Sequence, residues 1–85
     1  MPRSATLTLL GRPGCHLCDT ARDVVTDVLT DFGSVTLVEK SILDDPALSE
    51  LYAEEVPVLL VNDRVHNIWR VDPVRLRATL KEVTE

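Results

Sequence analysis

Cysteine is scarce in this 85-residue chain: there are two, and both fall within Cys15-His16-Leu17-Cys18. Two are too few for a structural disulfide framework, and a bridge between residues three apart closes too small a loop to constrain much chain. Long apolar runs are absent. No stretch approaches the roughly 18 residues that span a bilayer, and Met1-Pro2-Arg3-Ser4 leads on without an apolar signal core. The expected location is a reducing cytoplasm, with no membrane partner. Positive charge is in deficit: nine Lys and Arg against fourteen Asp and Glu leave a net charge of −5, which repels phosphate backbones and argues against nucleic acid. Repeats, linkers and low-complexity stretches are missing as well. Residues 1–85 therefore read as one domain, with room for two or three layers around one sheet.

What is present is periodic. Ser4 to Leu10 alternates Ala5, Leu7 and Leu9 with Thr6 and Thr8, as a strand does. After a break at Gly11 to Gly14 the period changes. Leu17, Ala21, Val24, Val25, Val28, Leu29 and Phe32 share one helical face, and Gly33 stands where a left-handed cap is expected. Val35 to Val38 reads as a second strand. Asp45-Pro46 supplies an N-cap followed by proline at the first helical position, starting a helix of about two turns with Leu48, Leu51 and Tyr52. Val56 to Val61 is almost wholly apolar, the pattern of a strand covered on both faces. Asn62-Asp63 reads as a hairpin turn lacking its usual glycine. Arg64 to Trp69 returns as a strand, and Asp72-Pro73 repeats the cap for a last helix carrying Val74, Leu76, Leu80 and Val83. The order is β-α-β-α-β-β-α.

The cysteines fall at the start of the first helix. There the unpaired backbone N–H groups and the positive end of the macrodipole favour thiolate over thiol at Cys15. Such settings lower a cysteine pKa from about 8.5 to roughly 3.5–7.5, and the thiolate is the species that attacks disulfides. Cys15 is the candidate nucleophile. Cys18 lies one turn on, beside the apolar face, and is the candidate resolving thiol that would release a substrate from Cys15. Arg12 adds a fixed positive charge for the thiolate or for a substrate carboxylate.

These residues resemble the glutaredoxins. Arg12-Pro13-Gly14-Cys15-His16-Leu17-Cys18 is similar to that family's basic-Pro-x-Cys-x-x-Cys segment, and Glu55-Val56-Pro57 resembles its Thr-Val-Pro. The resemblance implies a thioredoxin-like α/β fold of glutaredoxin type, with a four-stranded mixed sheet and helices on both faces. It implies a cis Pro57 facing the dithiol, a Val56 backbone that pairs with an extended substrate, and a substrate site shaped by Arg12, His16, Leu17, Val56 and Pro57. Glutathione is then a candidate co-substrate, beside disulfide-containing proteins or small molecules, and no tightly bound cofactor is implied. Two departures stand out. Asp72 matches the family's acidic residue at the next helix start, but Asn67, Ile68 and Trp69 occupy the region of a Gly-Gly pair, where side chains crowd a tripeptide. His16-Leu17 replaces the frequent Pro-Tyr.

Other readings stay open. Zinc needs four ligands, and one chain offers Cys15, Cys18, His16 and His66. An iron–sulfur cluster bridged between two copies is a stronger rival, and a non-catalytic adaptor on the same fold is a third; an acidic monomer is the default. His66 is expected at the surface or in packing. Trp69 is expected in the core, the commoner place for a lone tryptophan, against lining a groove beside the dithiol. Asp19, Asp23, Asp27 and Asp31 recur every four residues as an acidic ridge, read as a solvated face with docking of a basic partner as the alternative. Neutralising Asp27 and Asp31 is expected to stabilise the helix.

Overall fold

The backbone follows from which strands are covered. In the computed structural model, which describes residues 4–84, β1 (Ala5–Gly11) lies inside a four-stranded sheet of order β2-β1-β3-β4. It runs parallel to β2 (Val35–Ser41) and antiparallel to β3 (Val58–Val61), which pairs antiparallel with β4 (Arg64–Ile68). Three α-helices complete the chain: α1 (His16–Leu29), α2 (Pro46–Tyr52), preceded by a 3₁₀ turn at Ile42–Asp44, and α3 (Pro73–Thr84). The expected order is the observed one. Residues 1–3 and 85 of the expected unit lie outside the described residues.

The alternation in β1 does not mean one wet face. As an interior strand it is covered on both sides, so Thr8 is buried alongside Leu7, Leu9 and Leu10. Leu7 and Leu9 pack with Leu59 and Val61 of β3, Ala21, Val25 and Val28 of α1, and Leu76 and Leu80 of α3. Leu10 faces the other way, onto Ile42, Val56 and Val58, with Leu48 and Tyr52 of α2 half-buried against them. The second layer is thinner, and α2 has no fully buried residue.

Local chemistry sets the boundaries. The Asp45 carboxylate accepts from the Ala47 N–H at 2.9 Å, and that of Asp72 accepts from the N–H groups of Val74 and Arg75 at 2.9 and 3.3 Å, so both Asp-Pro pairs cap as expected. Asn62 and Asp63 both take positive φ, 48° and 69°, giving the hairpin turn without glycine because short polar residues tolerate that region. His66 is the extra residue of a β-bulge, where Leu59 and Leu60 face Asn67 and Val65. Its Nε2 lies 2.9 Å from the Thr79 hydroxyl of α3, the packing role expected of it.

Gly33 corrects an expectation. Helix α1 stops at Leu29 with Thr30 in right-handed geometry at φ −60°, and the chain winds on through 3₁₀-type bonds from Asp31 and Phe32 to Val28 and Leu29. No left-handed cap is needed, and Gly33 is not among the positive-φ glycines. Val74 is a second correction: it is 76% exposed, because the helix does not meet the core until Leu76.

Candidate active site

The loop from β1 to α1 delivers the cysteines. Gly14 takes φ 75°, a conformation that suits glycine, and turns the chain so that Cys15 becomes the N-cap of α1. The Cys18 N–H donates to Cys15 Sγ at 3.1 Å. A sulfur thus occupies the place of a capping oxygen and satisfies one of the helix's orphan donors. Cys15 and Cys18 stand at disulfide distance with Cα atoms 5.2 Å apart.

The two sulfurs differ in access. Cys15 is half-buried, whereas Cys18 is 4% exposed. Although Cys18 belongs to α1, it packs with Leu10, Ile42, Val56 and Val58 on the thinner side of the sheet, and Cys15 rests against that same cluster. Room for Cys18 comes from Gly11, a residue the sequence reading passed over as a strand break. A Cβ there would lie 3.2 Å from Cys18 Sγ. A glycine closing an apolar strand four residues before the motif was the available signal.

Of the five other expected site residues, Val56 joins the cysteines in this cluster. Pro57 follows it, buried, after a cis peptide bond, and its carbonyl accepts from the Trp69 N–H at 2.8 Å. Arg12 is exposed and lines a hollow of about 270 Å³ together with Gly11, Cys18, Arg22 and Lys40. Leu17 lies elsewhere, on a groove of about 260 Å³ with Ala21, Val24, Trp69, Arg70 and Val71. His16 is exposed at the first position of α1, where its carbonyl accepts from the Thr20 hydroxyl. Cys18 thus lines the first of two concavities, which carries both signs of charge, with Asp19 and Glu39 beside its cations; the second is mostly apolar and is lined by neither cysteine.

Arg22, one turn beyond Cys18, ties α1 to the sheet by bonding Glu39 of β2 and, at 3.1 Å, Asp19. The hydrogen bond and charge of Glu39 lead in pushing the Arg22 pKa up, with Asp19 adding to them. This network and Asp31 break up the acidic ridge. Asp31 lies just past the end of α1 and pairs with Arg77 of α3 at 2.6 Å, which offsets the unfavourable charge that the four-residue spacing places at this end of the helix.

Trp69 corrects the expectation of a core residue. It is 52% exposed and takes φ 66°, a conformation costing a bulky residue of order 1–3 kcal/mol. Its backbone N–H is held by Pro57, and its indole N–H donates to the Glu54 carbonyl at 3.1 Å. Among the described residues no cluster of three or more His, Cys, Asp or Glu converges to hold a metal, and no helix is long and apolar enough to cross a membrane.

Comparison with known proteins fits this geometry. A family model, Glutaredoxin-like domain (DUF836), matches residues 6–81. The X-ray structure of the Northeast Structural Genomics target XcR50 from X. campestris is 38% identical and superposes with TM-score 0.68 over 89% of this chain and 96% of that one. The solution structure of NE2328 from Nitrosomonas europaea is 27% identical, at TM-score 0.76 over 93% and 92% of the two chains. Chloroplastic thioredoxin z, 12% identical, matches at TM-score 0.75 over 94% and 78%, a likeness of fold alone. The uncharacterized protein Rv0508 of Mycobacterium tuberculosis is 28% identical over 80 residues, 89% of this chain and 82% of its own. The α/β architecture is of thioredoxin type.

Proposed function

The chain belongs to the glutaredoxin-like family, and from that membership we propose that it is a thiol–disulfide oxidoreductase in which Cys15 attacks and Cys18 resolves. The observation that carries this reading is the Cys18 N–H donating to Cys15 Sγ at the mouth of α1, since a donor aimed at that sulfur stabilises it as thiolate. In the reaction, the Cys15 thiolate attacks one sulfur of a substrate disulfide, a mixed disulfide forms, and the other substrate sulfur leaves and takes up a proton. Cys18, deprotonated, then attacks Cys15 Sγ. The Cys15–Cys18 disulfide forms, the second substrate thiol is released, and two electrons have passed to the substrate.

The neighbours suit these steps. Val56, packed beside the cysteines, has neither backbone N–H nor C=O engaged in a hydrogen bond among the described residues, leaving both free for an extended substrate. Arg12 gives the Cys18-side hollow a cation with no ion pair among the described residues, suited to a substrate carboxylate. His16 and Leu17 line the approach from the helix start. Regeneration needs a thiol reductant, for which glutathione and a protein dithiol are both chemically competent, and a reducing cytoplasm is the fitting compartment.

The test is disulfide reduction by wild type, Cys15→Ser and Cys18→Ser, with glutathione and with a thioredoxin-reductase system supplied in turn. Cys15→Ser is expected to abolish turnover, and Cys18→Ser to stall as a mixed disulfide on Cys15. The reductant that sustains wild-type turnover is thereby assigned. Full biological function in Cys15→Ser, or a coloured cluster-bearing dimer with no reductase activity, would overturn the reading in favour of an adaptor or a cluster carrier.

A further inference from the structure

The hollow lined by Cys18 lies apart from the face on which an extended substrate would pair, for neither Val56 nor Pro57 lines it. It opens between the β1–α1 loop, the first turns of α1 and the end of β2, and holds about 270 Å³. Strand register makes the space. β1 and β2 run parallel with Gly11 beside Ser41, so a glycine and a short hydroxyl side chain stand where larger residues would fill the cavity. The missing Cβ of Gly11 would lie 3.2 Å from Cys18 Sγ. The charges fall into a closed set and an open one. Arg22 bonds both Glu39 and Asp19, so two acids share one guanidinium. Arg12 and Lys40 are exposed and have no ion pair among the described residues. Three cations against two acids leave the hollow at +1 in a chain of −5. The Ser41 hydroxyl accepts from the Leu43 N–H at 3.2 Å, which leaves its own proton to donate.

We infer that this hollow binds a small monocarboxylate, held by Arg12 with Lys40 and Ser41 beside it, and that it binds the disulfide form of the protein more tightly than the dithiol form. The site itself stands without the oxidoreductase reading; the preference between the two forms rests on it. A guanidinium takes a carboxylate through two parallel N–H bonds. Asp19 and Glu39 oppose a second negative charge, so a monoanion is favoured over a dianion. The volume lies just under the roughly 300–1,000 Å³ of pockets for drug-sized ligands, which suits a small organic acid. Coupling to the sulfurs follows from position. Cys18 is one wall, and Gly14, another, is the covalent neighbour of Cys15, about 3.8 Å away between Cα atoms. The disulfide carries no charge, whereas the reduced form with Cys15 as thiolate sets a negative charge near the bound carboxylate. Like charges repel at that range, and more strongly beside a dry wall than in open water. By linkage, a ligand that prefers the oxidised protein favours the disulfide in turn. The ligand itself neither gains nor loses electrons.

The experiment titrates the oxidised protein with glycerate, glycerol 3-phosphate and glycerol at fixed ionic strength, following backbone amide chemical shifts. Glycerate should saturate, with the largest shifts at Gly11, Arg12 and Ser41; glycerol 3-phosphate should bind more weakly, and glycerol not at all. Arg12→Gln should weaken glycerate roughly tenfold, the size of one charge-assisted hydrogen bond. Lys40→Gln should weaken it by a smaller factor and keep wild-type reduction of bis(2-hydroxyethyl) disulfide, which is uncharged. On protein reduced with dithiothreitol, the glycerate dissociation constant should be roughly tenfold higher. For a two-electron couple that ratio lowers the reduction potential by about 30 mV at saturating glycerate. No saturation by glycerate, equal shifts at Arg64 and Arg75 outside the hollow, or tighter binding of glycerol 3-phosphate would overturn the carboxylate site. Equal affinity for the two forms, in a protein that reduces the uncharged disulfide, would overturn the coupling and leave the oxidoreductase reading standing. Glycerate binding by a protein that reduces no disulfide would uphold the site and remove that reading.

Discussion

The two faces of the sheet are built to different standards. On one, α1 and α3 bury Val25, Val28, Leu76 and Leu80 completely against β1 and β3. On the other, a 3₁₀ turn and a two-turn helix cover a smaller cluster, leaving Leu43 and Leu51 largely exposed, and it is this cluster that receives Cys15 and Cys18. The difference separates the layer that holds most of the buried core from the layer on which the two sulfurs rest. The thick layer holds the start of α1 in place, and the thin layer gives the sulfurs a dry wall on one side and access on the other.

The comparison breaks first under truncation of the core. Leu80→Ala on the thick face should lose about 2–5 kcal/mol, while Leu48→Ala on the thin face should lose about 1 kcal/mol, measured by urea unfolding. Equal losses would mean that the two layers share the load. Next come the caps. Asp72→Ala, which removes two bonds at the start of the helix carrying Leu76 and Leu80, should cost about 1–2 kcal/mol; Asp45→Ala, with one bond and a helix that buries nothing fully, about 0.5 kcal/mol. The smallest effects have opposite signs. Asp27→Asn relieves a negative charge in the last turn of α1 and should stabilise by about 0.3 kcal/mol, whereas Asp31→Asn removes a solvent-screened pair with Arg77 and should destabilise by a few tenths (~0.3 kcal/mol), both read from thermal melts.

Much of this was legible in the sequence because it is governed by local rules. The apolar period of α1, the Asp-Pro caps and the Asn62-Asp63 turn each depend on a few consecutive residues, and Cys15, Cys18 and Val56, singled out by their motifs, pack in one cluster. What the sequence hid depends on distant partners. Asp31 looked like part of a ridge until its partner proved to be Arg77, 46 residues away. The burial of Thr8 was hidden because alternation cannot reveal that β1 is an interior strand. Trp69 read as core because no local signal announces a positive φ at the end of β4, and Gly11 read as punctuation when its role is to leave space for Cys18 Sγ.

The most direct test of the central claim, that the mouth of α1 makes Cys15 the reactive thiolate and shields Cys18, is site-resolved alkylation of the reduced protein across pH, followed by mass mapping. Cys15 should be modified readily at about pH 6.5, below the ordinary thiol range near 8.5, with Cys18 lagging far behind. Equal modification of both cysteines, appearing only near pH 8.5, would contradict the account.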